Sequence, residues 1–244
     1  MNPVMHIGFL LFPNVTQLDL TGPAQVLSRV PDAKVHLAWK TLEPVPTDSG
    51  FAICPTTAFA DAPQFDVLCV PGGLGIEPLF EDAEVLAFLR TQGEGARYVT
   101  SVCSGSLVLG AAGLLDGYAS ACHWAWRDLL PRFGAIPEDE RIVRDRNRIS
   151  GGGVTAGIDF ALALAAELAG DELARRIQLT FEYDPQPPFD AGSPQAAGPE
   201  LVARVRELTA PRLLRVEAML DRAASSGSGA YLAATAASSR LNKA

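Results

Sequence analysis

The stretch "YVTSVCSGSLVLGAAGLL" (residues 98–115) begins as a strand and ends as a helix, with Cys103 between the two halves. A sharp strand-to-helix corner holds its central residue in a tight backbone conformation and tolerates only small neighbours. Ser101, Ser104 and Gly105 meet that demand. Such a corner lifts its side chain above the carboxyl edge of an open α/β sheet, where ligands bind. It also sets the sulfur at a helix N-terminus, whose unpaired N–H groups and dipole favour thiolate over thiol. Cys103 is therefore read as a nucleophile. On the residues alone a small apolar residue filling a corner stays open as the other reading.

Moving outward, the first 170 residues alternate between two kinds of segment. "MHIGFLLF" (5–12) and "FDVLCVPGG" (65–73) are apolar runs of buried strands, the second ending in a glycine turn. "KVHLAWKT" (34–41) alternates like a strand, and "ASACHW" and "RIVRDRNRIS" are read as later strands, the last as a solvated hairpin. Helical spacing is found in "PAQVLSRV" (23–30), with Pro23 in its first turn, in "EDAEVLAFLRTQGEGA" (81–96), and in "VTAGIDFALALAAELAG" (154–170). Strands alternating with helices predict an α/β fold, a mostly parallel sheet flanked by helices on both faces, of the flavodoxin-like or glutamine amidotransferase-like kind.

Past residue 182 the character changes. "YDPQPPFDAGSPQAAGP" (183–199) carries five prolines and reads as an extended arm without regular structure. Residues 200–224 have a helical pattern interrupted by Pro211, and the Ser/Gly/Ala-rich tail reads as disordered. The expected organisation is a catalytic domain over 1–182, an arm and helix over 183–224 that pack on it or on a dimer partner, and a flexible tail over 225–244.

Composition narrows the function classes. The chain has 244 residues and a formal net charge of -8, which disfavours phosphate-driven nucleic-acid binding. No run of eighteen uncharged apolar residues is present, so no membrane span is expected. The N-terminus lacks a basic region and a cleavage motif, and a cytoplasmic location with free thiols is the expectation. Cys54, Cys69, Cys103 and Cys122 form no C-x-x-C pair, and no metal site is expected. Cys69 reads as core, and Cys54 and Cys122 as packing residues beside strands.

A nucleophilic cysteine needs a proton partner. His6 and His36 fall in strands, and His123 in "CHWAW" is open between site and packing. Asp19, in "FPNVTQLDLTGP", follows the carboxyl end of the first strand with Leu18 and Leu20 beside it. Burial would raise its pKa and suit it to proton transfer, whereas a loop Asp capping the next helix is the competing reading. Gly72 and Gly73 would bring N–H groups together with that of Ser104 into an anion hole, or form an ordinary turn. In "SGGGVTAGIDF" (150–160) the match to G-x-G-x-x-A comes late in the chain and without a ribose-binding acid, so no dinucleotide is expected. Its glycines more simply let the backbone approach a neighbouring element, the cysteine corner being the candidate.

These motifs resemble the class I glutamine amidotransferase-like superfamily in its PfpI-type branch. "IGFLLFPNVTQLDLTGP", "RYVTSVCSGSLVLGAAGLL", "RISGGGVTAGIDFALALAAEL" and "QLTFEYDPQPPF" are most similar to the isocyanide hydratases within it. The resemblance covers residues 5 to 195 and implies a homodimeric, cofactor-free enzyme that hydrates a small isocyanide to an N-substituted formamide. It implies Cys103 as nucleophile and Asp19 as the acid, with Gly152 and Val154 in a segment beside the cysteine. Ser104 stands where the pattern has Thr; both carry a hydroxyl. Related readings are a glyoxalase- or deglycase-type enzyme, which generally has Glu and a His after the cysteine, and a ligand- or redox-sensing domain of a transcription regulator.

Overall fold

The computed structural model describes residues 3–226, so the proposed tail lies outside the described residues except for its first two positions, which end the last helix. Strands in chain order are β1 (Met5–Leu10), β2 (Ala33–Trp39), β3 (Val45–Pro46), β4 (Ala52–Ile53), β5 (Thr57–Ala58), β6 (Val67–Val70), β7 (Tyr98–Val102), β8 (Ala119–Ser120), β9 (Ile136–Pro137), β10 (Ile142–Asp145) and β11 (Arg148–Gly151). The helices are α1 (Gln17–Leu27), α2 (Ile76–Leu79), α3 (Ala83–Gly95), α4 (Gly105–Ala111), α5 (Ala156–Ala169), α6 (Asp171–Thr180), α7 (Pro194–Ala197) and α8 (Pro199–Ser226).

The main sheet runs β10-β11-β7-β6-β1-β2-β5. Every pairing in it is parallel except that of β10 with β11. All residues of β6 and β7 are buried, as central strands covered on both faces must be. Helices α1, α5 and α6 pack together as one group, and α4 packs with α2 and the 3₁₀ turn at Arg127–Phe133. The α/β alternation expected from the sequence is present. The "RIVRDRNRIS" hairpin supplies the antiparallel edge.

Four local expectations are corrected. Helix α1 starts at Gln17, so Pro23 lies inside it and Asp19 sits in its first turn. The missing Pro23 N–H costs one intrahelical bond to the Asp19 carbonyl, which the short helix tolerates. "ASACHW" contributes only β8, and that strand pairs with β9 in a separate two-stranded sheet beside β10 and β11. The proline-rich arm contains α7, whose Ser193 Oγ accepts the Ala196 N–H as a cap. Helix α8 continues through Pro211, which is exposed, as is Glu207 one turn earlier, so the carbonyl freed there can be hydrated. Helix α6 and the small strands β3 to β5 have no counterpart in the sequence reading.

Candidate active site

Two elements meet at the carboxyl edge of the sheet. The β7–α4 corner presents Cys103 at φ 58°, a left-handed conformation for a residue with a side chain. That costs roughly 1–2 kcal/mol and persists only where the surroundings hold it. Here the Cys103 N–H donates to the Gly151 carbonyl at 3.0 Å, and the Cys103 carbonyl accepts from Ser106 Oγ at 3.3 Å. The first glycine of "SGGGV" is therefore the neighbour that supports the corner from β11. Gly105 is obligatory for a different reason. A Cβ there would stand 2.0 Å from the Val70 carbonyl oxygen, so only glycine lets α4 begin directly against the end of β6.

The second element is the first turn of α1, which carries Asp19 into the interior at 0% exposure. Asp19 Oδ2 accepts the Gly72 N–H at 2.9 Å. Oδ1 is buried without a well-formed hydrogen bond. The carboxyl nevertheless lies close enough to the Cys103 thiol for each to perturb the other. Burial raises Asp19 from 3.8 to about 7, opposed by the Gly72 and Cys103 hydrogen-bonding contributions and reinforced by the charge of Asp48. A carboxyl poised there exchanges protons near neutrality.

The electrostatics correct the simple thiolate expectation. Burial pushes the Cys103 thiol well above its ordinary value, and the charges of Asp19 and Cys122 push it further. Only the Ser104 N–H opposes them in favour of the thiolate. A helix start alone does not outweigh that desolvation. Two adjacent negative charges in a buried site are unfavourable, so the carboxyl and thiol act as one coupled unit retaining a proton between them. Cys69 and Cys122 are different: burial lifts both to about 12, leaving inert thiols. Cys54 is exposed, which corrects its reading as a packing residue.

The glycine turn after β6 also differs from the expected anion hole. The Gly72 N–H is committed to Asp19, and the Gly73 N–H donates to Ser104 Oγ at 3.2 Å. A Cβ on Gly72 would fall 2.6 Å from Ser104 Oγ and 2.9 Å from Asp19 Oδ2, so both groups lie against its bare face. The turn thus aligns protein groups. Among the three expected donors, the Ser104 N–H is the one directed at the sulfur.

Gly152 follows the end of β11, where its N–H donates to the Arg141 carbonyl at 2.9 Å. Val154 is half-buried against the core, and its carbonyl accepts the Gly157 N–H at 3.3 Å as α5 begins. His123 Nδ1 accepts the Ala125 N–H at 3.3 Å and the ring packs on Trp124; burial lowers its pKa. Sequence reasoning missed the closeness of Cys122 to Cys103 and the influence of Asp48 on Asp19. No local motif signals either, because each contact spans many residues of sequence. Among the described residues, no cluster of three or more His, Cys, Asp or Glu is arranged to hold a metal ion, and no helix is long and apolar enough to cross a membrane.

The chain also resembles known proteins over most of its length. Residues 5–167 match the model of the DJ-1/PfpI family. The chain is similar to an isonitrile hydratase of Pseudomonas putida, 58% identical over 221 residues, which cover 90% of this chain and 96% of that protein. It is also similar to the HTH-type transcriptional regulator GbdR of Pseudomonas aeruginosa, at 34% identity over 75% of this chain but only 52% of the regulator. Among solved structures, a ThiJ/PfpI family protein from Pseudomonas syringae superposes with a TM-score of 0.87 at 46% identity, covering 90% of this chain and 91% of that one.

Proposed function

The chain belongs to the DJ-1/PfpI family, and from that premise we propose that it is a hydro-lyase that adds water to an isocyanide, R–N≡C, giving the N-substituted formamide. The observation that carries this reading is the buried Asp19–Cys103 pair, read together with the similarity to an isonitrile hydratase over nearly the whole of both chains.

The terminal isocyanide carbon accepts a soft nucleophile and must also gain a proton. The pair's shared proton passes from sulfur to Asp19; Cys103 Sγ then forms a bond to that carbon while Asp19 transfers the proton to the same atom, leaving the thioimidate R–N=CH–S. The Asp19 carboxylate then takes a proton from water, and the resulting hydroxide adds to the thioimidate carbon. Asp19 passes that proton to nitrogen. The C–S bond breaks as the C=O bond forms, and the hydroxyl proton returns to Asp19. One water is consumed, and Asp19 and Cys103 return to their starting states.

A pKa near 7 suits Asp19 to both halves of this cycle. Ser104 assists through its N–H, which steadies negative charge on sulfur, and its hydroxyl accepts from Gly73 while keeping its own proton for donation. Gly152 and Val154 shape the substrate side of the corner. The reaction needs no cofactor in this scheme. The active form is a homodimer, a reading supported by large apolar side chains left exposed on the arm and α8, among them Phe189, Leu208 and Leu214, and its free thiols suit a reducing cytoplasm.

The test is turnover of a small aryl isocyanide, followed as formamide formation, by wild type and Cys103→Ala in parallel, with lactate formation from methylglyoxal as the competing assay. Wild type should yield formamide and the variant none. Formamide formation by Cys103→Ala at the wild-type rate would overturn the assignment.

A further inference from the structure

The C-terminal helix has no role in the chemistry above, yet one of its side chains reaches the turn that aligns the reacting groups. Arg212 of α8 donates to the Leu74 carbonyl and to Glu77 Oε1. Its guanidinium also lies 5.4 Å from the centre of the Trp126 ring. Its side chain is only 15% exposed, so the pairing with Glu77 is shielded from water on most sides. Arg215 adds a second, looser contact to Glu77 at 3.7 Å. A fork donating to two acceptors at once fixes both position and direction, which a single contact would not.

The gripped segment is the one that matters. Leu74 directly follows Gly72 and Gly73, whose N–H groups bind Asp19 and Ser104. On its inner side the turn is held by the 14–16 segment: the Thr16 N–H donates to the Gly72 carbonyl, and the Gly75 N–H to the Asn14 carbonyl, each at 3.0 Å. On its outer side lies a cleft of about 570 Å³ whose wall includes Leu74, Glu77 and Arg212.

We propose that Arg212 is a positioning residue: by clamping Leu74 and Glu77 from the C-terminal helix, it keeps Gly72 against Asp19 and Gly73 against Ser104. The inference rests on the reading of Asp19 and Cys103 as the reacting pair. Its signature is electrostatic. A relaxed turn weakens the Gly72 hydrogen bond, the foremost influence holding the Asp19 pKa down, so the carboxyl should titrate at higher pH. The other titratable groups facing Asp19 are Cys103, Asp48 and Cys69, and none of them is altered by the substitution.

The experiment compares wild type, Arg212→Met and Glu77→Gln. Methionine keeps an apolar stem against Trp126 but removes the fork. The rate of Cys103 alkylation by iodoacetamide is measured against pH by peptide-resolved mass spectrometry, which reports the pair without any isocyanide. In Arg212→Met the alkylation midpoint should move to lower pH, because an Asp19 that keeps its proton longer opposes the Cys103 thiolate less. Turnover of the aryl isocyanide should fall about tenfold in kcat with little change in KM, as expected for lost alignment. Glu77→Gln should move both in the same direction by less. An unchanged alkylation profile in folded Arg212→Met, or a loss confined to KM, would overturn the role. Should Arg212→Met not fold, Arg212→Lys is judged by the same criteria. Absence of isocyanide turnover in wild type would count against the hydratase reading alone, because the alkylation profile still decides the clamp.

Discussion

The Gly72 N–H donates to Asp19 Oδ2 at 2.9 Å across 53 positions of sequence. That bond ties the turn after β6 to the first turn of α1, and with it sets where the candidate acid sits relative to the sulfur of Cys103. It also works against burial, which by itself would raise the carboxyl further.

Asp19→Asn separates activity from stability. Turnover should fall by at least about 100-fold, the ordinary scale of general acid–base catalysis. Stability should change in the opposite sense at high pH. The folded carboxyl titrates at about 7 and its ordinary value is 3.8, so between these values the native state binds more protons than the unfolded chain. Its stabilising contribution is complete below pH 3.8 and is lost as pH rises through about 7. The difference corresponds to at most about 4 kcal/mol, reduced by coupling to Cys103. Urea unfolding at pH 5 and pH 8.5 should show the wild type losing stability with pH more steeply than the variant. Equal slopes would take the raised carboxyl out of the account.

Gly72→Ala places a methyl group against Ser104 N, Ser104 Oγ and Asp19 Oδ2, none of which can retreat without losing a hydrogen bond or moving backbone. Overpacking of this kind costs about 1–3 kcal/mol. The variant should melt several degrees lower and lose most of its activity, whereas Gly153→Ala, which meets nothing within 4 Å, should keep its melting temperature. Differential scanning calorimetry of the two variants provides the comparison.

Ser104→Ala removes the acceptor of the Gly73 N–H but leaves the backbone N–H directed at sulfur. Losing the acceptor of a part-buried N–H costs about 1–3 kcal/mol. A drop of about tenfold in kcat is expected, with Ser104→Thr close to wild type because the hydroxyl survives. If alanine and threonine behave alike in steady-state assays, the hydroxyl has no part in alignment.

The three thiols outside the reacting pair should separate by reactivity in the native protein. Cys54 is exposed and should modify rapidly with a bulky maleimide. Cys69 and Cys122, both held near 12 by burial, should stay unmodified until the chain is unfolded. Peptide mapping after timed labelling checks this, and early modification of Cys122 would contradict the packing described around it.

Much of the fold was legible in the chain because strand burial and helix periodicity are local. The apolar run ending in "VPGG" and the small residues around Cys103 point to a sheet edge and a corner without reference to anything distant. Misreadings arose where a local rule met a competing long-range term. Pro23 fits the local rule for a first helical turn, yet α1 begins six residues earlier and buries Asp19, Leu20 and Val26 in the interior. Pro211 breaks the local helical pattern, yet its exposed position lets water replace the missing bond and α8 continues through it.

Residue types and their spacing carry the α/β alternation and the corner at Cys103, whereas the pairing of that cysteine with Asp19 comes from the resemblance, the residues alone leaving a helix-capping Asp open. Each depends on residue type and spacing within one segment or on a recognisable set of segments. The ionisation of the pair, the use of Gly72 as a donor to Asp19, and the reach of Arg212 to Leu74 were decided only by the tertiary structure. Burial and hydrogen-bond partners come from segments far apart in the chain, and for a buried acid and thiol those terms outweigh the local helix start that the sequence displays.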